Sequence, residues 1–454
     1  MKSETGYIAV LPAGIRLRSW WGRVAGAVAR KGGVTLADQG VVSVTNFLTG
    51  VIVARSGSRE ELGLYSLGFT VLIVLQAVQS SAISSPYTFF NVRFAEGERA
   101  AYTGSSLVHQ LHLAAAAALL LAVSGALLAR GLGSPGMVAV MPLLALATPF
   151  VLVREYGRQI FFSRLRFSAA LLMDLVVAGV QMTALLLLAG MGKLSAAGAY
   201  GAVALACGGA VAVWGATARQ YYSFDRTRIL PDLRMNWAIG KWSLASGVAS
   251  LAGAQLYPWL ITVSRGVEAA GILAACMGVA FLANPLIIGV GNFLAPQTMH
   301  SFTTDGVPAV RRLLARSTLV LAAGMTLLCV TMFAWGDELL RLIYGARYAG
   351  FGLVVALLSL SQTFEVFSLP PNCGLFLMER LDVIFRANVI VLLVTVTAGF
   401  WLMRLLGPLG VAWGLLLGNL LSSLYRWVEY LRRIGSFTAT GGAVPAGNEA
   451  GGGP

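Results

Sequence analysis

The sequence predicts an all-α polytopic membrane protein, with about twelve transmembrane helices in two six-helix lobes around a central cavity. Three observations carry that reading. Hydrophobic residues make up 57% of the 454 and charged residues 11%, with a mean hydropathy of +0.76, a balance outside that of soluble domains. Apolar runs of about 20 residues recur along the chain, each long enough to cross a hydrocarbon core ~30 Å thick as a helix. The 33 Lys and Arg outnumber the 19 Asp and Glu, and they gather in alternate connecting segments, which is the signal that orients a membrane protein rather than a nucleic-acid footprint.

Residues 1–33 contain RLRSWWGRVAGAVARKGG, basic and Trp-containing, without the apolar core of a signal peptide. This stretch is expected on the cytoplasmic membrane surface. Spans follow at about 34–54, 64–84, 107–128, 136–153, 168–190, 196–216, 243–264, 269–291, 317–336, 350–370, 387–406 and 408–426. With the amino terminus inside, 25 of the Lys and Arg fall at cytoplasmic positions and 8 outside, so both termini are expected in the cytoplasm. The first lobe takes 34–216 and the second 243–430, joined by a cytoplasmic linker over 217–242. The Gly- and Ala-rich end makes 431–454 an expected disordered cytoplasmic tail.

A short internal repeat supports the division into halves. Span one ends in Arg55, followed by Glu60-Glu61-Leu62-Gly63-Leu64; span seven ends in Arg265, followed by Glu268-Ala269-Ala270-Gly271-Ile272. Both read Arg, then E-x-x-G and Leu or Ile. Six spans is an even number, so the halves share an orientation and a substrate path is expected between them. In the last span, Gly410, Gly414 and Gly418 recur at every fourth position, a spacing that allows close helix packing.

Span one is hydrophobic yet rich in polar groups. At ~100° per residue, Thr35, Asp38, Gln39, Ser43, Asn46, Thr49 and Gly50 fall on one side, opposite Leu36, Gly40, Val44, Phe47, Leu48 and Val51. Such a face is costly against lipid, so it should meet a bundle interior or a wet cavity; hydrogen bonding between helices is the plainer alternative. Span seven repeats the face in milder form with Ser243, Ser246, Ser250 and Tyr257. Asp38, Gln39, Ser43, Asn46, Ser246 and Ser250 are the expected cavity residues.

Three carboxylates lie inside spans: Asp38, Asp174 with Gln181 on its face, and Glu365 with Ser361 four residues before it. They are candidates for ion coupling, with H+ or Na+ as the ion, or else for structural hydrogen bonding. Arg154 and Arg158 are four apart in REYGRQIFFSRLRF and point the same way on a helix, and a guanidinium fork suits phosphate. With Arg55 and Arg265 they are the candidates for a pyrophosphate or lipid headgroup. Every Lys and Arg falls near a predicted span end, so this contact is expected at the rim of the cavity rather than deep in it. His109 and His112 share a helical face but have no ligand set around them, and the four cysteines form no CxxC pair, so no metal and no cofactor is expected. The sequence holds no HExxH, P-loop or GxSxG, which points away from an enzyme.

Several of these motifs, in this order, resemble a known family. Asp38-Gln39, Asn46-Phe47, Ala54-Arg55 and Glu60-Glu61-Leu62-Gly63-Leu64-Tyr65 resemble the amino-terminal signature of bacterial polysaccharide flippases, the O-antigen and exopolysaccharide translocases. Ser85-Pro86, Arg154-Glu155 with Arg158, Tyr344-Gly345 and Gly407-Pro408-Leu409-Gly410-Val411-Ala412 are similar to later features. The resemblance implies a member of the multidrug, oligosaccharidyl-lipid and polysaccharide exporter superfamily, working by alternating access in a bacterial inner membrane. It implies a polyprenyl-pyrophosphate-linked oligosaccharide as cargo, moved to the periplasmic leaflet, with the lipid bilayer, a polysaccharide polymerase and glycosyltransferases as partners and no nucleic acid. An ion-coupled multidrug exporter and a non-transporting scaffold for glycosyltransferases are the alternatives.

Overall fold

A computed structural model describes residues 16–91, 93–132 and 134–439. The side chains of 16–32 and of scattered positions over 239–254, including Ser243, Ser246 and Ser250, lie outside the described residues. All the regular structure described is helical. The first half comprises α1 (Arg16–Ser56), α2 (Arg59–Gln79), α3 (Ser85–Asn91), α4 (Glu96–Leu127), α5 (Pro135–Ser163), α6 (Phe167–Gly190) and α7 (Ala196–Thr217). The second comprises α8 (Arg226–Arg265), α9 (Val267–Ala280), α10 (Asn284–Tyr344), α11 (Gly352–Val366), α12 (Leu369–Leu377), α13 (Leu381–Val394), α14 (Phe400–Leu406) and α15 (Pro408–Ala439).

Among the described residues, 10 helical stretches are long and apolar enough to cross a membrane. The carboxyl-terminal part of α8, and α9 running into α10, bring the number to about twelve. α10 is 61 residues long because it holds the end of one crossing and all of the next. It turns at Gly306, where φ is 70°, a backbone state that a side chain would strain, and Pro308 follows.

The expected linker is mostly helix. Residues 226–242 belong to α8, which runs unbroken into the seventh crossing. Asp225 opens it: its carboxylate accepts from the Thr227 N–H (2.9 Å) and hydroxyl (2.6 Å), bonds that hold its pKa below the ordinary range. The segment is ordered because it docks on the first half. The Tyr102 hydroxyl donates to Asn236 (2.7 Å) and His109 Nε2 to the Ile229 carbonyl (2.8 Å). His112 turns instead to the Val108 carbonyl of its own helix (2.7 Å). Burial raises the Asp232 carboxyl above its usual range in the same interface.

The expected tail also starts too early at 431. α15 continues to Ala439 because Ile434 and Phe437 are buried, Phe437 stacks on Phe302 (5.7 Å between centroids), and Arg433 pairs with Glu429 (2.7 Å). Residues 440–454 lie outside the described residues, as do 1–15 of the basic amino-terminal segment, whose remainder is helix continuous with span one.

Within the first half, α5 packs against α4 and α7, and α1 against α6; within the second, α11 packs against α10 and α15, and α13 against α8 and α15. The broadest contact between halves is the crossing of α2 and α9, and it has local two-fold symmetry. A Cβ on Gly63 would collide with the Val267 carbonyl, and a Cβ on Gly271 with the Arg59 carbonyl. Each glycine is thus the residue four after the carbonyl that the other meets. The two E-x-x-G segments pack on each other, and small residues are required at that crossing. Gly410, Gly414 and Gly418 likewise face the Leu402 backbone, the Tyr257 ring with Gly399, and Val391.

Candidate functional site

Arginines seal one end of the interface between the halves. Arg55 Nε donates to the Ile343 carbonyl (2.7 Å) and Arg59 Nε to the Arg347 carbonyl (2.9 Å), while Arg59 pairs with Glu268 (2.8 Å) and Arg347 reaches back to the Gly57 carbonyl. Arg265 donates to the Arg404 and Leu405 carbonyls (2.6 and 2.9 Å). These guanidinium groups close off carbonyls at helix ends, where the helix dipole favours a cation. The two arginines of the repeat are therefore held by backbone.

Beyond this seal a cavity of about 630 Å³ lies between the halves. Ser43, Asn46 and Gly50 of α1 and Tyr65, Phe69 and Thr70 of α2 form one wall. The opposite wall is more polar. It carries Ser361, Gln362 and Glu365 of α11, Asn388 of α13, and Asn419, Ser422 and Arg426 of α15. Arg426 sits 18 residues beyond the start of α15 at Pro408, ~27 Å along the helix axis, and is 8% exposed. Its Nη2 donates to Asn388 Oδ1 (2.6 Å), while its Nε is buried without a hydrogen-bond partner. Ser422 Oγ and Gln362 Oε1 are buried and unpartnered too. Buried polar atoms left without partners on one cavity wall are costly unless a ligand or water completes them.

Sequence reasoning missed Arg426, which stands at the end of the predicted last span, ~27 Å along a helix that crosses a core ~30 Å thick. The predicted last span ends at 426 because Glu429, Arg432 and Arg433 depress hydropathy beyond it, yet the helix goes on and Arg426 lies on the cavity wall. One signal was available: Asn419, Ser422 and Arg426 follow i, i+3, i+7 spacing, a single polar stripe. Nothing in the sequence linked that stripe to Asn388 or Gln362 on other helices.

The remaining candidates gather in the first half. Arg158 contacts three carboxylates: Asp38 Oδ2 (2.7 Å), Asp174 Oδ2 (2.7 Å) and Glu155 Oε2 (2.9 Å). Arg154 pairs with Asp174, its Nε at 3.2 Å from Oδ1. Asp38 and Asp174 are almost wholly buried, and Asp38 Oδ1 has no hydrogen-bond partner. Three carboxylates thus share two guanidinium groups and tie α1, α5 and α6 together. Arg154 and Arg158 direct their donors to carboxylates, and Glu365 lies in the second half on the same cavity wall as Arg426, its electrostatic neighbour.

The polar face of α1 divides accordingly. Asp38, Thr45 and Thr49 are buried within the first half, with Gln181 Nε2 donating to Thr49 (2.8 Å), while Gln39, Ser43 and Asn46 line cavities. A second cavity, of about 390 Å³, lies within the first half beside the charge cluster. The side chains of Ser246 and Ser250 lie outside the described residues. Among the described residues no group of three or more His, Cys, Asp or Glu is arranged to hold a metal, and the four cysteines are free thiols.

Comparison with known proteins places this geometry. Residues 101–352, more than half of the chain, match the family described as polysaccharide biosynthesis protein. No curated protein sequence matches the chain. Among solved structures it is similar to an inward-facing multidrug resistance MATE family transporter of the MOP superfamily, with a TM-score of 0.71 and 16% identity over 88% of this chain and 96% of that one. It is also similar to a MOP superfamily transporter from Pyrococcus furiosus described as having a binding pocket of reversed polarity, with a TM-score of 0.65 and 15% identity over 91% and 96%. An outward-facing MATE family structure gives a TM-score of 0.65 and 16% identity over 91% and 96%. At these identities the likeness is one of fold.

Proposed function

The chain belongs to the polysaccharide biosynthesis protein family and has the fold of the MOP superfamily transporters, and from that premise we propose that it is a flippase for polyprenyl-pyrophosphate-linked oligosaccharides. It moves the repeat unit from the cytoplasmic to the periplasmic leaflet of a bacterial inner membrane by alternating access, with both termini cytoplasmic, and hands it to a polysaccharide polymerase after glycosyltransferases have built it. Arg426 carries this reading. Its guanidinium lines a cavity between two halves that are sealed at one end, with Glu365 on the same wall, and a guanidinium is the side chain best suited to a pyrophosphate. The cavity lies between the halves, so the prenyl tail can remain in lipid while the headgroup is enclosed.

The sealed end is the periplasmic one in this orientation, and the conformation is inward-open. The cluster of Asp38, Asp174 and Glu155 around Arg154 and Arg158 holds one more carboxylate than guanidinium groups, which supports H+ or Na+ as a coupling ion there. Purified protein in proteoliposomes is given a fluorescent undecaprenyl-pyrophosphate oligosaccharide, and flipping is read by reduction of accessible dye. Arg426→Ala abolishes flipping; wild-type flipping by that variant overturns the reading.

A second reading rests on Glu365. Its carboxylate lines the same cavity, whose other wall is largely apolar, and that combination suits an organic cation carried by an ion-coupled multidrug exporter. Changed resistance to a panel of organic cations in Glu365→Gln, with surface polysaccharide intact, would favour it.

A further inference from the structure

The cavity inside the first half differs in chemistry from the central one. Its wall carries five amides; Gln159 and Gln181 donate to Thr88 and Thr49, while Gln39 and Asn46 of α1 and Gln76 of α2 stand with Ser80. None of these four side chains is hydrogen-bonded to another described residue. Its charged lining residues neutralise one another nearby: Arg154 is held by Asp174, and Glu155 by Arg158 at 2.9 Å. An anion finds no uncommitted guanidinium there, and the carboxylate on the lining, Glu155, is held by Arg158. What remains free is a set of side chains that both donate and accept neutral hydrogen bonds.

Two aromatic rings complete the wall. Tyr65 and Phe69 stack with centroids 6.1 Å apart, and Tyr65 stacks on Tyr200 at 5.5 Å. Asn46, Tyr65 and Phe69 line both cavities, so the two adjoin across α1 and α2. At about 390 Å³ the space falls within the usual range of small-ligand sites, where aromatic surface and a few placed polar groups fix orientation.

We propose that this cavity is a saccharide subsite, in which Gln39, Asn46 and Gln76 exchange hydrogen bonds with the hydroxyls of an uncharged sugar ring whose C–H face lies on Tyr65 and Phe69. This rests on the flippase reading. The cargo is then divided between the halves, its anionic group on the second and its sugar on the first. A change in how the halves meet alters both contacts together, and neither half alone recognises the whole headgroup.

Binding is measured on the purified full-length protein with four probes: undecaprenyl pyrophosphate alone, and the same lipid bearing a neutral hexose, an N-acetylhexosamine or a hexuronic acid. At least one uncharged sugar probe binds tighter than the bare lipid. Gln39→Leu with Gln76→Leu removes that gain, a loss on the order of tenfold for two hydrogen bonds, while leaving affinity for the bare lipid unchanged, which also reports that the variant is folded. Arg426→Gln weakens all four probes. If no uncharged sugar probe binds tighter than the bare lipid, or the gain survives in the double variant, the subsite is refuted while the flippase reading stands. If Arg426→Gln leaves the bare lipid unaffected, the flippase reading loses its anchor instead.

Discussion

Arg158 and Arg426 show how the same side chain takes opposite parts according to its neighbours. Arg158, 5% exposed, meets three carboxylates within 2.9 Å. Deleting it strands Asp38 and Asp174 as buried charges, so Arg158→Ala should cost ~3–5 kcal/mol and lower the unfolding temperature in detergent, whereas Asp38→Asn retains a polar partner and costs less. Arg426 makes a single hydrogen bond, to Asn388; its loss should change stability by ~1 kcal/mol and be felt in transport. A larger thermal penalty for Arg426→Ala than for Arg158→Ala would reverse these roles. The sequence made Arg154 and Arg158 visible through their spacing but could not show their partners. Asp38 and Asp174 lie 120 and 16 residues from Arg158 in the chain, and a carboxylate on another helix only becomes a partner once the helices pack.

At the scale of elements, α2 and α9 form the seal between halves, and its strength depends on the absence of two side chains. Both Gly63 and Gly271 face a backbone carbonyl across the crossing, and backbone cannot move aside as a flexible side chain can. Gly63→Leu should force the helices apart. In a cysteine-free background with Tyr65→Cys, labelling by a membrane-impermeant maleimide from the sealed side should then rise above that seen with Gly63 intact; unchanged labelling would show that the crossing is not the barrier. The E-x-x-G repeat was legible from sequence as two matching segments, and their mutual contact was not. Element boundaries were least legible where hydropathy falls. Residues 226–242 and 431–439 are polar enough to read as connection and tail, yet docking on α4 and burial of Ile434 and Phe437 make them helix.

For the whole molecule, the distribution of charge along the chain is what supports the proposed orientation. With 25 of 33 Lys and Arg on one side, an alkaline phosphatase fused after Gly435 should be inactive in cells and one inserted at Gly192 active; the opposite pattern would invert the membrane orientation and the direction assigned to transport. The two halves also differ in their chemistry. The first holds a paired charge cluster with one carboxylate in excess beside free amides, and the second a guanidinium and a carboxylate, Arg426 and Glu365, on the wall of the central cavity, so the path between them is polar in two distinct ways.

The sequence by itself determined the class of protein, the approximate crossings, the expected orientation and the existence of two related segments. These follow from local composition, because each crossing must satisfy its backbone within its own helix and meet lipid with apolar side chains. Only the tertiary structure decided which charged residues are matched and which are free. That depends on contacts between helices far apart in the chain, and it turned Arg154 and Arg158 from ligand candidates into partners of buried carboxylates while bringing Arg426 to the cavity.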